Sequence, residues 1–440
     1  MRRLLALLAV VLVALPALAH AVDIRTVKTP LGLTAWLVQD KSAPAVSVAF
    51  SFGAGAASDP AGQSGVTSLM ATLLTDGAGA FDARTFRLRQ EEAGASVSFS
   101  ASLDRLGGSL RVLSANRDDG FELLRLALVE PRFDLDMLEQ RRAQTIAALN
   151  QATQRPGSVA NRTLMTTEFA GHPYAKDTEG TVEDLKALTP DLVRARAKAL
   201  LMRSGLVISA VGDIDEATLA ELLDRTFGAL PQGTPPVPPP DWTPPGAART
   251  VVVERPVPQS TALLALPGIL RDDPDWYAAL LLNHVLGGGG QHSRLFTEVR
   301  EKRGLAYGAS SGLRTWRKAG LLVISTASAN DRVAQALEVV RGEIARLRRE
   351  GPSEAEFEDA RTYLTGALAL SLDSSGAIAS LLHSMQIDGL PPDHLERRAA
   401  LIDKVTLADV RRVGERLLRE ELLLTVVVGK PVGVSPSAAP

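Results

Sequence analysis

Apolar and polar residues along the chain follow two kinds of spacing, and both predict regular secondary structure. Short runs in which apolar residues alternate with polar ones, or follow one another unbroken, predict strands. Longer stretches in which apolar residues recur three or four positions apart predict helices. The predicted strands span residues 34–38, 46–52, 96–102, 108–113 and 206–211, and then 251–254, 261–266, 305–310, 320–326 and 423–428. Helices interrupt both sets in the same order, so the second half repeats the pattern of the first.

The ends of the two halves align without a gap. Residues 189–213, TPDLVRARAKALLMRSGLVISAVGD, match residues 406–430, TLADVRRVGERLLREELLLTVVVGK, at an offset of 406 − 189 = 217. Each copy begins with a threonine that can cap a helix and ends with a β-branched strand followed by glycine. A second similarity, between residues 134–142 and 353–361, lies at 353 − 134 = 219. Two similar segments at nearly the same offset indicate an internal duplication.

The fold class expected from this pattern is α+β, with two duplicated domains. Pairs of neighbouring strands predict a mostly antiparallel sheet in each domain, with helices on one face. The segment 230–250, LPQGTPPVPPPDWTPPGAART, is rich in proline and predicts an extended linker between domains 22–229 and 251–430. Two such domains can face each other across a cleft, and the composition of the tail 431–440 predicts flexibility.

The N-terminus, MRRLLALLAVVLVALPALAHAVD, predicts a secretory signal peptide over residues 1–21. Two arginines precede a short apolar run, which ends in a small-x-small cleavage site. An uncleaved anchor helix is the alternative, although the run is short for a membrane span. The chain contains no cysteine, so disulfides and thiolate metal ligands are excluded, and a bacterial periplasm is the expected location. A net charge of −2 gives no indication of a nucleic-acid partner, and no membrane span is expected after cleavage.

Three segments together resemble the pitrilysin/insulinase family of zinc metallopeptidases. They are SFGAGAASDPAGQSGV at 51–66, between a strand and a helix, HPYAKDTEGTVEDLKALTPDLV at 172–193, and SRLFTEVREKRGLAYGASSG at 293–312. The resemblance implies two domains that form half of a clamshell. It also implies a helix carrying H-x-x-E-H, in which two histidines bind zinc and the glutamate activates the metal-bound water.

The residues that would hold zinc are missing from this chain. Aligned on Gly65-Val66, the three motif positions fall on Ser68, Ala71 and Thr72. The third metal ligand of the family, a glutamate on a later helix, corresponds to the region of Ala148. Hydroxyl groups are poor zinc ligands compared with imidazole, and a methyl group is none. The resemblance therefore implies no metal in this chain, and zinc only in a partner subunit.

The histidines do not suggest a replacement metal site. No two of those in the mature chain have the i, i+4 spacing of a helical zinc pair, and His172 is expected to fix a turn beside Pro173. The run GGGG at 287–290 lacks the lysine of a phosphate-binding loop and predicts a flexible connector between two helices. Ser64 lacks the spacing and the strand–elbow context of a nucleophilic serine, so no motif supports an independent serine hydrolase.

The resemblance assigns roles to Arg300 and Tyr307, the Arg/Tyr pair of this chain. In the family, an arginine and a tyrosine at this spacing reach across the cleft, bind the substrate backbone and help to stabilise the tetrahedral intermediate. A permanent cation and a neutral O–H donor suit an oxygen that gains negative charge. Leu295, Phe296 and Val299 would anchor the helix, which Gly304 would end. The alternative is a solvated helix charge at Arg300 and a half-buried strand residue at Tyr307.

Two hypotheses follow for the function. The first is a non-zinc-binding subunit that pairs with a homologous chain bearing H-x-x-E-H, contributes the Arg/Tyr pair to the partner's active site and encloses peptide substrates with it. The second is a non-catalytic scaffold or peptide-binding protein of the same fold, in which the pair is dispensable.

Overall fold

A computed structural model describes residues 23–368 and 372–437 and contains one large open β-sheet in each half of the chain, with a small two-stranded sheet in the first half. The signal peptide predicted for residues 1–21 lies outside these ranges. The strands of the first half are β1 (Ile24–Lys28), β2 (Thr34–Gln39), β3 (Ala45–Phe52), β4 (Gly77–Ala78), β5 (Phe81–Asp82), β6 (Ser96–Ala101), β7 (Leu106–Leu113) and β8 (Val207–Gly212). Those of the second half are β9 (Arg249–Glu254), β10 (Gln259–Pro267), β11 (Ala306–Trp316), β12 (Ala319–Ala329) and β13 (Leu424–Gly429).

Five strands of each large sheet follow the same order, which is the structural counterpart of the sequence repeat. The N-terminal sheet runs β1-β2-β8-β3-β7-β6, and the C-terminal sheet, written in the same direction, runs β9-β13-β10-β12-β11. Strand β1 is an additional edge strand of the N-terminal sheet. In each sheet, the last strand of the domain lies between its first and second long strands and makes the one parallel pairing, β2 with β8 and β9 with β13. All other pairings within the two sheets are antiparallel.

Helices surround both sheets. The helices of the N-terminal half are α1 (Val66–Leu73), α2 (Ala83–Ala93), α3 (Arg117–Val129), α4 (Leu135–Ala152), α5 (Pro156–Glu168), α6 (Val182–Ala187), α7 (Pro190–Leu200) and α8 (Glu216–Phe227). Those of the C-terminal half are α9 (Trp276–Asn283), α10 (Arg294–Phe296), α11 (Val333–Glu350), α12 (Glu354–Gly366), α13 (Ser375–Ile387), α14 (His394–Asp403) and α15 (Leu407–Leu417). Within the described ranges, none combines the length and apolarity needed to cross a bilayer.

The repeated helix caps predicted from sequence are present. Thr189 accepts a hydrogen bond from the backbone N–H of Leu192 at the start of α7. Thr406 accepts from the backbone N–H of Asp409 at the start of α15, and the Asp409 carboxylate accepts from the backbone N–H of Thr406, which completes a capping box. Caps of this kind satisfy backbone donors that would otherwise lack partners, so both repeats begin their last helix by the same local rule.

The α+β fold with helix-covered sheets is confirmed, but the expectation of helices on one face is wrong. One face of each sheet packs against helices of its own domain, and the other face packs against a helix from the other half. Helix α5 lies on β10 and β13, burying Leu164 near Val426, whereas α13 lies on β3 and β8, burying Leu382 near Val211. This exchange of helices joins the two domains into one body.

The Pro-rich segment is packed onto both domains rather than free between them. Trp242 stacks near Phe169, with ring centroids 5.1 Å apart, and its backbone N–H donates to the carbonyl oxygen of Lys318. Strand β9 already begins at Arg249, so the end of the predicted linker belongs to the sheet. The predicted tail is also attached in part, because the backbone N–H of Ser437 donates to the carbonyl oxygen of Thr250. Residues 438–440 lie outside the described ranges.

The glycine run at 287–290 connects α9 and α10, as predicted, and is closely packed at Gly287, whereas Gly288 and Gly290 are exposed. It forms a π-helical turn over His284–Gly288 and a 3₁₀ turn over Gly290–His292. A Cβ added to Gly287 would lie 2.5 Å from the backbone nitrogen of Ser311 on β11. Glycine is needed there because helix and strand backbones approach too closely for any side chain.

Candidate functional site

Helix α1, on which the family carries its zinc motif, is held in place by buried polar groups. Gly65 precedes the helix with φ +89°, and its N–H donates to Oδ2 of Asp59 over 2.9 Å. Asp59 also accepts from the hydroxyl of Thr67 and forms an ion pair with buried Arg196 at 3.2 Å. A Cβ on Gly65 would lie 2.5 Å from the carbonyl oxygen of Glu179. These contacts fix both the position of the helix and its distance from the loop that contains Glu179.

The motif positions on α1 have internal structural partners instead of metal-binding groups. The hydroxyl of Ser68 donates to Oε1 of Glu179 over 2.9 Å, and that of Thr72 donates to the carbonyl oxygen of Leu69 over 2.8 Å. Ala71 is buried in the core. Across the described residues, no cluster of three or more histidine, aspartate or glutamate side chains could hold a metal ion. The side chains at these positions therefore do not fit a zinc ion.

Ala148, at the position of the third metal ligand, lines a cavity of about 1190 Å³. The walls of this α4–α5 cavity come from the end of α4, the start of α5 and the loop that connects α5 to α6. Arg314 and Trp316 of the C-terminal domain complete the lining. In the region expected for the family's third ligand, Ala148 offers only a methyl group to the cavity, which both domains border.

Arg300 lies in a π-helical turn over Thr297–Glu301 that continues α10. Its neighbour Glu298 is buried and forms ion pairs with Lys302 and Arg303, and the hydrogen bond from Lys302 leads the effects that lower the pKa of Glu298. Arg300 instead stacks over the ring of Phe296, 4.9 Å from its centroid. Its guanidinium makes no ion pair with any described residue, because Lys302 and Arg303 already neutralise the nearby acid.

The Tyr307 side chain is 83% exposed, so Tyr307 is not the half-buried strand residue of the alternative interpretation. The register of β11 against β12 shifts between Ala306 and Ala309, and Tyr307 lies in this irregular stretch. An extra residue in a strand can redirect a side chain. As predicted, Gly304 ends the preceding helix with φ +59°, its N–H donating to the carbonyl oxygen of Arg300.

The Arg/Tyr pair and the former zinc positions of the same chain occupy different places. The lining of the α4–α5 cavity includes Ala148 but neither Arg300 nor Tyr307. A smaller cavity of about 410 Å³ is lined by Phe296, on which Arg300 stacks, and by Gly308, the residue after Tyr307. The structure thus does not assemble one composite site within this chain.

The His-Pro-Tyr segment ties the domains together, and the expected role of His172 in a turn is confirmed. Its Nδ1 accepts from the N–H of Tyr174, which leaves the proton on Nε2 to be donated to the carbonyl oxygen of Pro240 over 2.9 Å. Buried Tyr174 donates from its hydroxyl to Asp104 over 2.6 Å and accepts from the N–H of Lys318. Burial raises the pKa of Tyr174, so the hydroxyl stays protonated and acts as this donor.

Sequence reasoning did not find three residues that shape these sites. Glu179, the partner of Ser68, lies within the 172–193 segment, but nothing in that segment indicates its contact with α1. Asp104 accepts from both Tyr174 and the N–H of Arg317, and Arg314 reaches the α4–α5 cavity from the other domain. Each contact joins residues more than 60 positions apart, so no local pattern could have indicated it.

Two family models match the chain. One, described as insulinase (peptidase family M16), matches residues 34–182. The other, described as peptidase M16 inactive domain, matches residues 187–364. The second match begins before the Pro-rich segment and includes α7 and β8, which the sheet topology assigns to the N-terminal domain.

Relatives carry names of both active and inactive proteins. An uncharacterized zinc protease of Streptomyces coelicolor is 26% identical over 354 residues, covering 75% of this chain and 76% of the relative. A non-peptidase homolog of Helicobacter pylori is 24% identical over 363 residues, covering 81% of this chain and 82% of the relative. A crystal structure described as a peptidase M16 inactive domain from Pseudomonas fluorescens has a TM-score of 0.88 and 29% identity, covering 94% of this chain and 99% of that chain. These matches confirm the resemblance stated from the motifs.

Proposed function

This chain belongs to the peptidase M16 (insulinase) family, and from that premise we propose that it is the metal-free subunit of a periplasmic, heteromeric zinc metallopeptidase. Its partner is a homologous chain that bears H-x-x-E-H and holds the zinc. The observation that carries the proposal is a selective loss. The metal-binding positions are Ser68, Ala71, Thr72 and Ala148, whereas Arg300 and Tyr307 are both present and exposed.

The surroundings of the Arg/Tyr pair support a role toward a second chain. Arg300 has no carboxylate partner among the described residues, and 83% of Tyr307 is open to solvent. A guanidinium and a phenol are donors that can bind a peptide carbonyl oxygen and stabilise negative charge developing on it. In the partner's active site, Arg300 and Tyr307 would supply these hydrogen bonds, while zinc held by the partner would activate water.

The N-terminal sequence supports the assignment to the periplasm. The arginines, the apolar run and the small-x-small site have the pattern of a secretory signal, and the chain has no cysteine that oxidation could affect. We therefore place the assembled peptidase in the periplasm, where peptides are its substrates.

The test is to purify this chain alone, an H-x-x-E-H homologue from the same organism alone, and the two together. The expected result is a stable complex that cleaves an internally quenched peptide, with zinc in the homologue and none in this chain. Peptide cleavage by this chain alone, or full activity of the homologue alone, would contradict the proposal.

A second candidate is a non-catalytic scaffold or peptide-binding protein of the same fold. The name of the Helicobacter pylori relative, a non-peptidase homolog, favours it. In that case the two chains would assemble, but replacing the Arg/Tyr pair would leave peptide cleavage unchanged. Deleting this chain would then impair assembly rather than turnover.

A further inference from the structure

Arg314, at the wall of the α4–α5 cavity, is a cation without a counter-ion. Its Nη1 donates to Oδ1 of Asn161 on α5 over 2.8 Å, and it forms no ion pair with any described residue. Burial lowers the pKa of the Arg314 guanidinium, and no carboxylate counteracts this effect. The residue as a whole is exposed, and its guanidinium, bound only to a neutral amide, keeps most of its capacity to bind an anion.

Other charged groups of the cavity are already engaged. Arg162 forms an ion pair with Asp177 at 2.8 Å, and Glu179 accepts from Ser68. The ammonium group of Lys176 donates to the carbonyl oxygens of Ala57 and Asp59. None of these groups forms an ion pair with Arg314.

Two charged residues of the lining remain, and they lie at helix starts. Glu183 is exposed in the first turn of α6, where the positive end of the helix dipole stabilises a carboxylate. Arg155 precedes α5, whose first turn has no acidic residue and no side-chain cap. The start of α5, which lies in the same wall as Asn161, thus adds positive potential on the side of Arg314.

The lining also provides an apolar surface beside Arg314. Leu103, Met165 and Trp316 all line the cavity, and Trp316 is two positions from Arg314 on β11. The side-chain amide Nδ2 of Asn161 has no acceptor among the described residues, so it can donate to a ligand together with Arg314. An apolar floor with a few directed donors is typical of sites for organic ligands. The cavity volume of about 1190 Å³ exceeds that of most small-molecule sites, so a peptide segment fits it better.

We propose that the α4–α5 cavity binds a peptide through a carboxylate, which Arg314 and the amide of Asn161 hold while an apolar side chain packs on Trp316. The carboxylate is either an acidic side chain or the C-terminal group of the peptide. This inference goes beyond the proposed subunit function, because binding in this cavity requires no partner chain, no zinc and no peptide cleavage. It also gives the second candidate, a peptide-binding protein, a defined site.

The experiment is calorimetric titration of this chain alone with three acetylated pentapeptides. All share a leucine, and they end in glutamate amide, in glutamine amide, or in glutamine with a free carboxylate. At least one carboxylate peptide should bind about 10- to 100-fold more tightly than the neutral glutamine amide, the range expected for a charge-assisted hydrogen bond. Whichever carboxylate peptide binds more tightly identifies the source of the carboxylate.

Two variants and a control locate the effect. Arg314→Gln retains a side chain that can contact Asn161, and Arg314→Met removes all donors; both should abolish the preference for the carboxylate. Arg87→Met makes the same charge change on the exposed side of α2 and should preserve the preference. Equal binding of all three peptides, no binding of any, or a preference that survives in both folded Arg314 variants would overturn the proposal.

Discussion

The helix that carries the family's zinc motif and the segment that carries the Arg/Tyr pair differ in how their polar groups are used. Around α1, the hydroxyls of Ser68 and Thr72 are bonded within the protein. In the other segment, Arg300 stacks on Phe296 without an ion pair in the described structure, and Tyr307 is exposed. This difference indicates that polar groups bonded within the protein stabilise the fold, whereas polar groups that lack internal partners are available to a ligand.

Substitutions of the Arg/Tyr pair test this difference most directly. Arg300→Ala or Tyr307→Phe should lower kcat/KM of the assembled peptidase by about 10²- to 10³-fold, the usual loss when a donor to a developing oxyanion is removed. The free energy of unfolding should change by less than about 0.5 kcal/mol, because both side chains are surface groups.

The measurements are initial rates on a quenched peptide and urea denaturation. Arg349→Ala and Tyr363→Phe are matched controls, since both residues are exposed elsewhere in the C-terminal domain, and neither should change the rate. Wild-type rates for Arg300→Ala and Tyr307→Phe would show that exposure alone does not mark this pair as functional.

The next largest effect is expected at Glu168, a buried carboxyl group that has one distant charged partner and one oxygen without a hydrogen bond. It is buried at the end of α5, 3.6 Å from Arg249 on β9, and Oε1 has no hydrogen-bond partner. Burial raises the pKa of Glu168 to about 7, despite the attraction of Arg249. A raised carboxyl pKa means that the folded state binds the proton more tightly than the unfolded state does. Its stabilising contribution is therefore complete below the unfolded pKa and is lost as the pH rises through about 7.

Glu168→Gln should remove this part of the pH dependence. Relative to the variant, the wild type should lose up to about 3 kcal/mol of stability between pH 4.5 and pH 8. Urea denaturation of both proteins across this range measures the difference. His383, half-buried on the other exchanged helix, has a pKa lowered to about 4 by partial burial; it contributes the opposite slope in both proteins and cancels. Parallel pH profiles would contradict the prediction.

Tyr174→Phe tests a fully satisfied internal group. Removing the hydroxyl leaves Asp104 without one donor and the N–H of Lys318 without its acceptor. The free energy of unfolding should fall by about 1–3 kcal/mol, the cost of unsatisfied buried polar groups. Thermal or urea denaturation measures this loss, with Tyr363→Phe as the exposed control. Unchanged stability would mean that these bonds do not hold the domains together.

The smallest effect is expected at the former zinc position itself. Ser68→Ala removes one hydrogen bond, to Glu179, and should destabilise the chain by about 1 kcal/mol. Metal analysis should find no bound zinc in either protein after purification without chelator. If the wild-type protein carried zinc and the Ser68→Ala variant did not, Ser68 would be a metal-binding residue and not only a structural one.

Much of the fold followed from local pattern. The periodicity located the long strands and, through Thr189 and Thr406, the start of the last helix in each repeat. The missing metal ligands at Ser68, Ala71, Thr72 and Ala148 were also evident from sequence. The close approach of Gly287 to Ser311 could not be predicted, because it depends on a strand that lies more than 20 residues further along the chain.

The sequence by itself determined the repeated α+β units, the loss of metal-binding side chains and the presence of the Arg/Tyr pair, because each depends on residue type and short spacing. The tertiary structure decided which polar groups are used internally and which remain available. It also decided that each domain lends a helix to the other's sheet and that Arg314 faces a cavity bordered by both domains. These outcomes depend on contacts between distant residues, which arise when apolar faces of the two halves are buried against each other.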